Sequence, residues 1–449
     1  MKHLILFLIF CSMSKLTFAT GIGYALSGGG ARGFAHIGIL KVLEEEGLAP
    51  DYISGTSIGA VIGAFYAMGY NAAQIESLAI EIDWEGLLQN KIPRRDLYVG
   101  QKRWAPYGNT VLELDEKWNP KFPTSLYKAN NLNLKLFELY APSSHVRDFS
   151  QLEIPFSCVA TDLQRGQGKE FVSGSLWQAV RASLSVPSLI LPFKVGERMY
   201  IDGGIAQNLP ISEARALGAD LVVGIKVNSS LREEENLDSI IDILDQTINI
   251  GISRNLNANL DDCDLLLEPE LNPYSSQDFK HAAEIIAIGE HYARTKLTEI
   301  QEFMRLQGVT RTPQRASKAF PTKKYRVKQL EVSGNKRISF AKIREYLGLK
   351  IPGIYSAKEI SAAARKALNS QYFNVLYPEM IPEAEGGYTL KIILQEKQAK
   401  SLTLNIAYND EEKLTAGVVL NIDNILLKNS RILAQAILGG KNELNIDYV

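Results

Sequence analysis

Three cysteines in 449 residues are too few for a disulfide framework. Cys11, Cys158 and Cys263 stand far apart, so they offer no metal-ligand spacing either. Cys11 falls in a leader, which leaves at most one internal pair. Charge of one sign is also lacking: 49 Lys and Arg face 50 Asp and Glu, for a formal net charge of -1. Nothing in that balance points to nucleic acid as the main partner. No metal constellation is visible, and the acids Asp261, Asp262 and Asp264 read as a solvated loop. The N-terminal apolar run, Leu4 to Cys11, is too short to span a bilayer.

What is present at the N-terminus reads as a secretory signal. Lys2 and His3 precede the apolar run, and Thr17-Phe18-Ala19 supplies small residues for cleavage after Ala19. Bulky Phe10 before Cys11 argues against a lipoprotein anchor. Export with so few cysteines fits a bacterial envelope protein.

The length allows two or three domains. From Gly21 to Gln307, short apolar runs alternate with helix-period stretches, the pattern of an α/β layer fold. Strands are expected at Ile22–Ser27, Asp51–Ser54, Pro155–Ala160 and Leu221–Val227. Helices are expected at His36–Glu46, Ile58–Met68, Leu237–Asn257 and Phe279–Met304. Thr310–Pro321 is polar, with Arg311, Arg315 and Lys318 and no acid. It reads as a solvated linker, with contact to an anionic lipid surface as the alternative. Tyr325 to Gln395 then gives strand, two helices and two strands. From Leu402 onward apolar and polar residues alternate, through Leu404, Ile406 and Tyr408, and again at Leu444, Ile446 and Tyr448. Roughly four such strands fit, whereas a single-chain transmembrane barrel needs at least eight. The period therefore supports either part of a barrel or a small soluble sheet.

The chemistry concentrates in three glycine-rich motifs. Ser57 lies in Gly55-Thr56-Ser57-Ile58-Gly59, between an apolar strand and an apolar helix. A serine in that setting is a nucleophile elbow, lifted out of the sheet by a turn too tight for side chains. Gly28-Gly29-Gly30-Ala31-Arg32-Gly33 closes the first strand, and its unobstructed amides can receive an oxyanion. Asp202, before Gly203 and Gly204, is the candidate base, placed at the carboxyl end of a strand.

These motifs, with Ala160-Thr161-Asp162-Leu163, Arg181-Ala182-Ser183 and Asn208-Leu209-Pro210, resemble those of patatin-like phospholipases over about Gly21 to Arg305. The resemblance implies a three-layer α/β/α catalytic domain and a Ser-Asp dyad without histidine, acting on lipid esters. By position, Ser57 is the nucleophile and Asp202 the base. Gly28, Gly29 and Gly30 form the oxyanion hole, and Arg32, Gly33, Gly55, Gly59, Gly203 and Gly204 support the site. Arg32 either pins the oxyanion loop or holds a lipid phosphate. The segment after the linker is similar to a small α+β POTRA domain, and the whole chain resembles bacterial patatins fused to an outer-membrane β-barrel. The expected plan is a signal peptide over 1–19, a catalytic domain over 20–307, a basic linker over 308–320, a POTRA-like domain over 321–397 and barrel strands over 398–449. A phospholipid or lysophospholipid substrate, a membrane surface and a homodimer through POTRA-like or barrel edges are the implied partners. No cofactor is implied.

Three rivals compete with this reading. Gly28, Gly30 and Gly33 also fit a dinucleotide fingerprint, but Asp51 starts the second strand instead of ending it. A Ser-Asp-His triad would use His281 or His291, both inside a helical stretch. His36 follows the glycine loop and reads as a helix residue beneath it. The third rival is a secretion or assembly component carrying the hydrolase as a passenger, since POTRA edges can bind clients by strand addition. Val186–Phe193, Trp84, Leu87 and Leu88 read as core or as an apolar rim for acyl chains. Gly166, Gly168 and Gly174 read as turn residues.

Overall fold

A computed structural model of the chain describes residues 21–89, 110–122, 125–228, 240–257, 260–313, 315–317, 323–409, 413–423, 430–440 and 442–448. The leader lies outside the described residues.

The first region runs β1 (Ile22–Leu26), α1 (Ala35–Glu46), β2 (Tyr52–Thr56), α2 (Ile58–Ala67), α3 (Ala72–Glu81), α4 (Trp84–Gln89), β3 (Thr110–Leu114), β4 (Pro120–Lys121) and α5 (Asn130–Tyr140). It continues through β5 (Phe156–Asp162), β6 (Gln167–Phe171), α6 (Leu176–Ser183), β7 (Phe193–Val195), β8 (Arg198–Asp202), α7 (Ile211–Leu217), β9 (Leu221–Ile225), α8 (Ile240–Asn257), β10 (Leu265–Leu267), α9 (Ala282–Thr295) and α10 (Leu297–Gln307). The eight-stranded sheet has the order β10-β9-β1-β2-β5-β8-β7, with β6 also on β5. Strands β10, β9, β1, β2 and β5 are parallel, and β6, β7 and β8 add antiparallel pairs. Every residue of β1 is buried, as a central parallel strand covered on both faces requires. The Gly47 cap, at φ 74, stops α1 in the left-handed region that glycine enters without strain. An Asn71–Gln74 capping box starts α3.

Two expectations need correction here. The helical pattern from Phe279 to Met304 is a 3-10 turn and two helices, parted at Lys296. The break keeps Ala293 and Ile300 seven residues apart and buried, so the apolar stripe carries no trace of it. Gly168 lies within β6 instead of a turn, whereas Gly166 and Gly174 do take positive φ, at 67 and 105°.

The linker is not a solvated tether where it is described. The Thr312 N–H donates to the Gly47 carbonyl at 2.9 Å, and Arg311 pairs with Glu46 at 2.9 Å. Arg315 donates to the Tyr66 carbonyl at 2.6 Å and lies 4.6 Å over the Tyr66 ring. Arg315 is thus engaged by the protein, and Arg311 stays largely exposed in its pair with Glu46. Lys318 lies outside the described residues.

A second unit follows, with β11 (Lys324–Ser333), α11 (Phe340–Leu347), β12 (Gly353–Ser356), α12 (Ala357–Leu368), β13 (Phe373–Pro382) and β14 (Tyr388–Glu396) in the sheet order β12-β11-β14-β13. Short β12 sits between the helices, where the sequence pattern gave no strand. The third sheet holds β15 (Lys400–Asn409), β16 (Lys413–Asp423), β17 (Arg431–Gly439) and β18 (Glu443–Tyr448) as an antiparallel meander. It also takes in β3, paired with β15, and β4 beyond it. The sheet therefore has six strands, two of them from an excursion of the first region.

Candidate active site

Both halves of the site lie where strands end. At the carboxyl end of β2 the chain turns straight into α2, and Ser57 takes φ 54 and ψ -122, a conformation unusual for a residue with a Cβ. Surrounding contacts hold it there. The Ser57 N–H donates to Ser183 Oγ at 2.8 Å, and the Ser57 carbonyl accepts from Ala60 and Val61. A Cβ at Gly59 would lie 2.3 Å from the Leu26 carbonyl oxygen, so only glycine lets α2 start this close to β1.

Asp202 ends β8, opposite Ala160 on β5. Its Oδ2 accepts from Ser57 Oγ at 2.6 Å, and its Oδ1 accepts from the Gly204 N–H at 2.8 Å. Its backbone is held from both sides: its N–H donates to the Ser185 carbonyl at 2.8 Å, and its carbonyl accepts from Thr161 Oγ1 at 2.8 Å. Gly203 is obligatory by space, since a Cβ there would sit 2.0 Å from the Val159 carbonyl oxygen. Ser57 is 5% and Asp202 7% exposed. Burial raises the Asp202 carboxyl to about 6, although the Ser57 and Gly204 hydrogen bonds pull it down. That value suits a base which accepts a proton near neutrality and later returns it.

The glycine loop lies against the serine. An added Cβ on Gly28 would meet Ser57 Cβ at 3.2 Å. The Gly28 N–H, however, donates to the Asn208 carbonyl at 3.2 Å. One amide of the expected donor set Gly28, Gly29 and Gly30 is thus already hydrogen-bonded within the chain. Gly30 has φ +58 and faces the Ser276 carbonyl, so a side chain there is excluded by space and by conformation.

Arg32 takes the first of its two readings. It is buried, and it donates from Nε to the Val227 carbonyl at 3.2 Å and from Nη1 to the Tyr274 carbonyl at 3.1 Å. It fastens the loop and leaves no head exposed for a phosphate. His36 is fully buried under the loop, bonded through Nε2 to the Ser27 carbonyl at 2.9 Å, and burial lowers it to about 4. The imidazole is neutral at physiological pH and braces the loop. His281, at the cap of α9, pairs with Glu284, and the Ser57 hydroxyl donates to Asp202 where the triad alternative would need a histidine. Cys158 and Cys263 are both free.

Phe193, Ile190 and Trp84 are buried, and Leu87, Leu88, Leu189 and Leu191 pack partly buried against the same core. The core reading therefore holds for most of that set. Sequence reasoning left one group of functional consequence in the motif background. Ser183 and Ser185, at the end of α6, receive the amides of Ser57 and Asp202. The Arg181-Ala182-Ser183 motif was a signal for Ser183, and Ser185 lies just outside it.

Residues 24–215, which include Ser57 and Asp202, match the patatin-like phospholipase family, and residues 325–422 match the POTRA family, described as a surface antigen variable number repeat. The chain carries a patatin-like phospholipase domain followed by a POTRA domain. The POTRA match runs past β14 into β15 and β16, beyond the boundary expected from element order. Over 240 residues the chain is 32% identical to the mouse Patatin-like phospholipase domain-containing protein 6, covering 52% of this chain and 15% of that protein. It is 28% identical over 309 residues to Lysophospholipase NTE1 of Phaeosphaeria nodorum, covering 63% of this chain and 18% of that one. The chain thus spans less than a fifth of these relatives. Among solved structures, VipD from Legionella pneumophila aligns with 16% identity and a TM-score of 0.32, over 63% of this chain and 67% of that one.

Proposed function

We propose that the chain is a lipid acyl hydrolase of phospholipase A or lysophospholipase type. The observation that carries this is the 2.6 Å hydrogen bond from Ser57 Oγ to Asp202, inside the patatin-like domain and beside the glycine loop. Asp202 Oδ2 accepts the Ser57 proton as Oγ bonds to the acyl carbon. The carbonyl oxygen becomes an anion facing the Gly29 and Gly30 amides. The ester C–O bond then breaks, and Asp202 returns the proton to the leaving alcohol. Water, deprotonated by the same carboxylate, then adds to the acyl carbon; the bond to Ser57 Oγ breaks, Asp202 returns the proton to Oγ, and the fatty acid leaves. The boundaries 20–307, 321–397 and 398–449 remain the working division of the chain.

Association with a bacterial outer membrane, after export, is the setting this reading favours. The POTRA match and the outward apolar side chains of the third sheet support it: Leu444, Ile446 and Ile406 are 76, 69 and 73% exposed. No helix among the described residues is long and apolar enough to cross a membrane. The assembly-component reading is weakened at one edge of the POTRA sheet. The Asn130 amide donates to the Asn374 carbonyl at 2.9 Å and accepts from the Leu376 N–H at 3.4 Å, occupying the β13 positions where a client strand would pair.

The test is fatty-acid release from mixed phospholipid micelles by the full chain, beside its Ser57→Ala and Asp202→Asn variants. Release by the parent, and none by either folded variant, upholds the dyad. An active Asp202→Asn variant places the base elsewhere. A folded parent inert toward all esters removes the hydrolase reading.

A further inference from the structure

The end of α6 and the turn that follows it touch both members of the dyad. Ser183, its last residue, accepts the Ser57 N–H at 2.8 Å and donates to the Val159 carbonyl at 2.5 Å. Two residues on, the Ser185 carbonyl accepts the Asp202 N–H at 2.8 Å. The distance between nucleophile and carboxylate is thus referred to one turn of chain.

Arg181 holds that turn. It is 1% exposed, and among the described residues no carboxylate is paired with it. Nε donates to Asn133 Oδ1 at 2.6 Å on α5, Nη1 to Ser185 Oγ at 2.7 Å, and Nη2 to the Leu191 carbonyl at 3.2 Å. Its guanidinium lies 5.1 Å from the centre of the Phe193 ring. A buried cation with only neutral acceptors is costly, and an apolar side chain would fill the space more cheaply. What an apolar side chain cannot do is tie three separate segments by directed hydrogen bonds.

The POTRA domain closes this arrangement from outside. Tyr377 on β13 packs against Trp177 at the start of α6, with ring centres 5.3 Å apart, and against Phe193 at 5.1 Å. Asn130 clamps β13 to the start of α5, the helix that also carries Asn133. The two domains share one continuous hydrophobic core.

We propose that Arg181 is the positioning residue that sets the Ser57–Asp202 geometry through Ser183 and Ser185, and that Tyr377 of the POTRA domain is its brace. The POTRA domain is then part of the catalytic unit, and displacing β13 weakens turnover. The inference rests on Asp202 being the base.

The experiment uses the full chain and a soluble p-nitrophenyl ester, with active sites counted by a fluorophosphonate. Arg181→Lys keeps the charge and loses the fork. It is expected to lower kcat per titrated serine by about tenfold or more, with KM within about twofold, because the reacting geometry is disturbed and not the ester-binding surface. Tyr377→Ala is expected to lower kcat in the same manner by about threefold to tenfold. Arg147→Ala, which cuts the Arg147–Glu379 pair at the same junction without touching α6, is the control and leaves kcat unchanged. In an Asp202→Asn background, Arg181→Lys should add little further loss to the fluorophosphonate labelling rate, since both act through one carboxylate. Wild-type kcat in folded Arg181→Lys or folded Tyr377→Ala overturns the proposal, as does a loss confined to the count of titrated sites. If Asp202→Asn labels as fast as the parent, the base assignment fails separately. The labelling rate of Arg181→Lys then still decides whether the turn positions Ser57.

Discussion

The dyad site and the six-stranded sheet treat polar and apolar groups in opposite ways. Around Ser57 the chain buries polar atoms and gives them partners: Ser57, Asp202, Thr161, Ser183 and Arg181 are all nearly closed to solvent and hydrogen-bonded. In the sheet β15–β18 the chain exposes apolar side chains, with Leu414, Leu438 and Leu444 outward while Thr415, Val419 and Gln435 are buried. The first arrangement is complete within the chain. The second leaves its outer apolar face uncovered among the described residues. A site can thus be read from its own bonds, whereas a surface of this kind is read by what it leaves uncovered.

The largest expected effects fall on the complete side. Ser57→Ala should reduce ester hydrolysis by about 10^4-fold or more at unchanged thermal stability, checked by initial rates and circular dichroism melts. Asp202→Asn should be similarly inactive and yet more stable at neutral pH. The native carboxyl is raised to about 6, so the folded state holds its proton more tightly than the unfolded chain does. Its contribution is therefore full below about pH 4 and is lost as pH rises to about 6. Asp202→Asn should melt with the parent at pH 4 and above it at pH 8, by no more than about 3 kcal/mol. In the parent, kcat/KM should rise through an acid limb near pH 6, and a limb near pH 4 would contradict the buried base.

Next comes packing. Gly203→Ala forces a methyl into the Val159 carbonyl and should destabilise the fold by about 1–3 kcal/mol, read by urea titration. The exposed sheet supplies the contrast. Ile446→Lys should change soluble stability by less than about 0.5 kcal/mol, because the side chain is already in water. It should nonetheless lower co-sedimentation with phospholipid vesicles if that face enters lipid. Equal sedimentation by parent and variant would separate the sheet from the membrane. In the linker, Arg311→Ala removes a largely exposed pair to Glu46 and should cost no more than about 0.5 kcal/mol in the same titration.

Much of the fold was legible because the signals are local. Strand β1, the glycine-capped α1 and the β2–Ser57–α2 turn follow from apolar runs punctuated by glycine, and each lies within two residues of its expected span. What escaped detection depends on partners distant in sequence. β3 is short and gains its sheet partner from β15, nearly three hundred residues on, with β4 pairing only to β3 beyond it. Arg311 and Arg315 read as free cations because Glu46 and Tyr66 are far away along the chain. The Gly28 amide read as an open donor because its acceptor, Asn208, is in another motif.

By itself the sequence determined the residue types and turns of the candidate site, since a glycine-flanked serine and a glycine-followed aspartate are local backbone requirements. Only the tertiary structure decided the 2.6 Å meeting of Ser57 and Asp202, the burial that raises the carboxyl, and the common hold of Ser183 and Ser185 on both. Distance and desolvation arise only when separate segments pack together, and no local pattern encodes them.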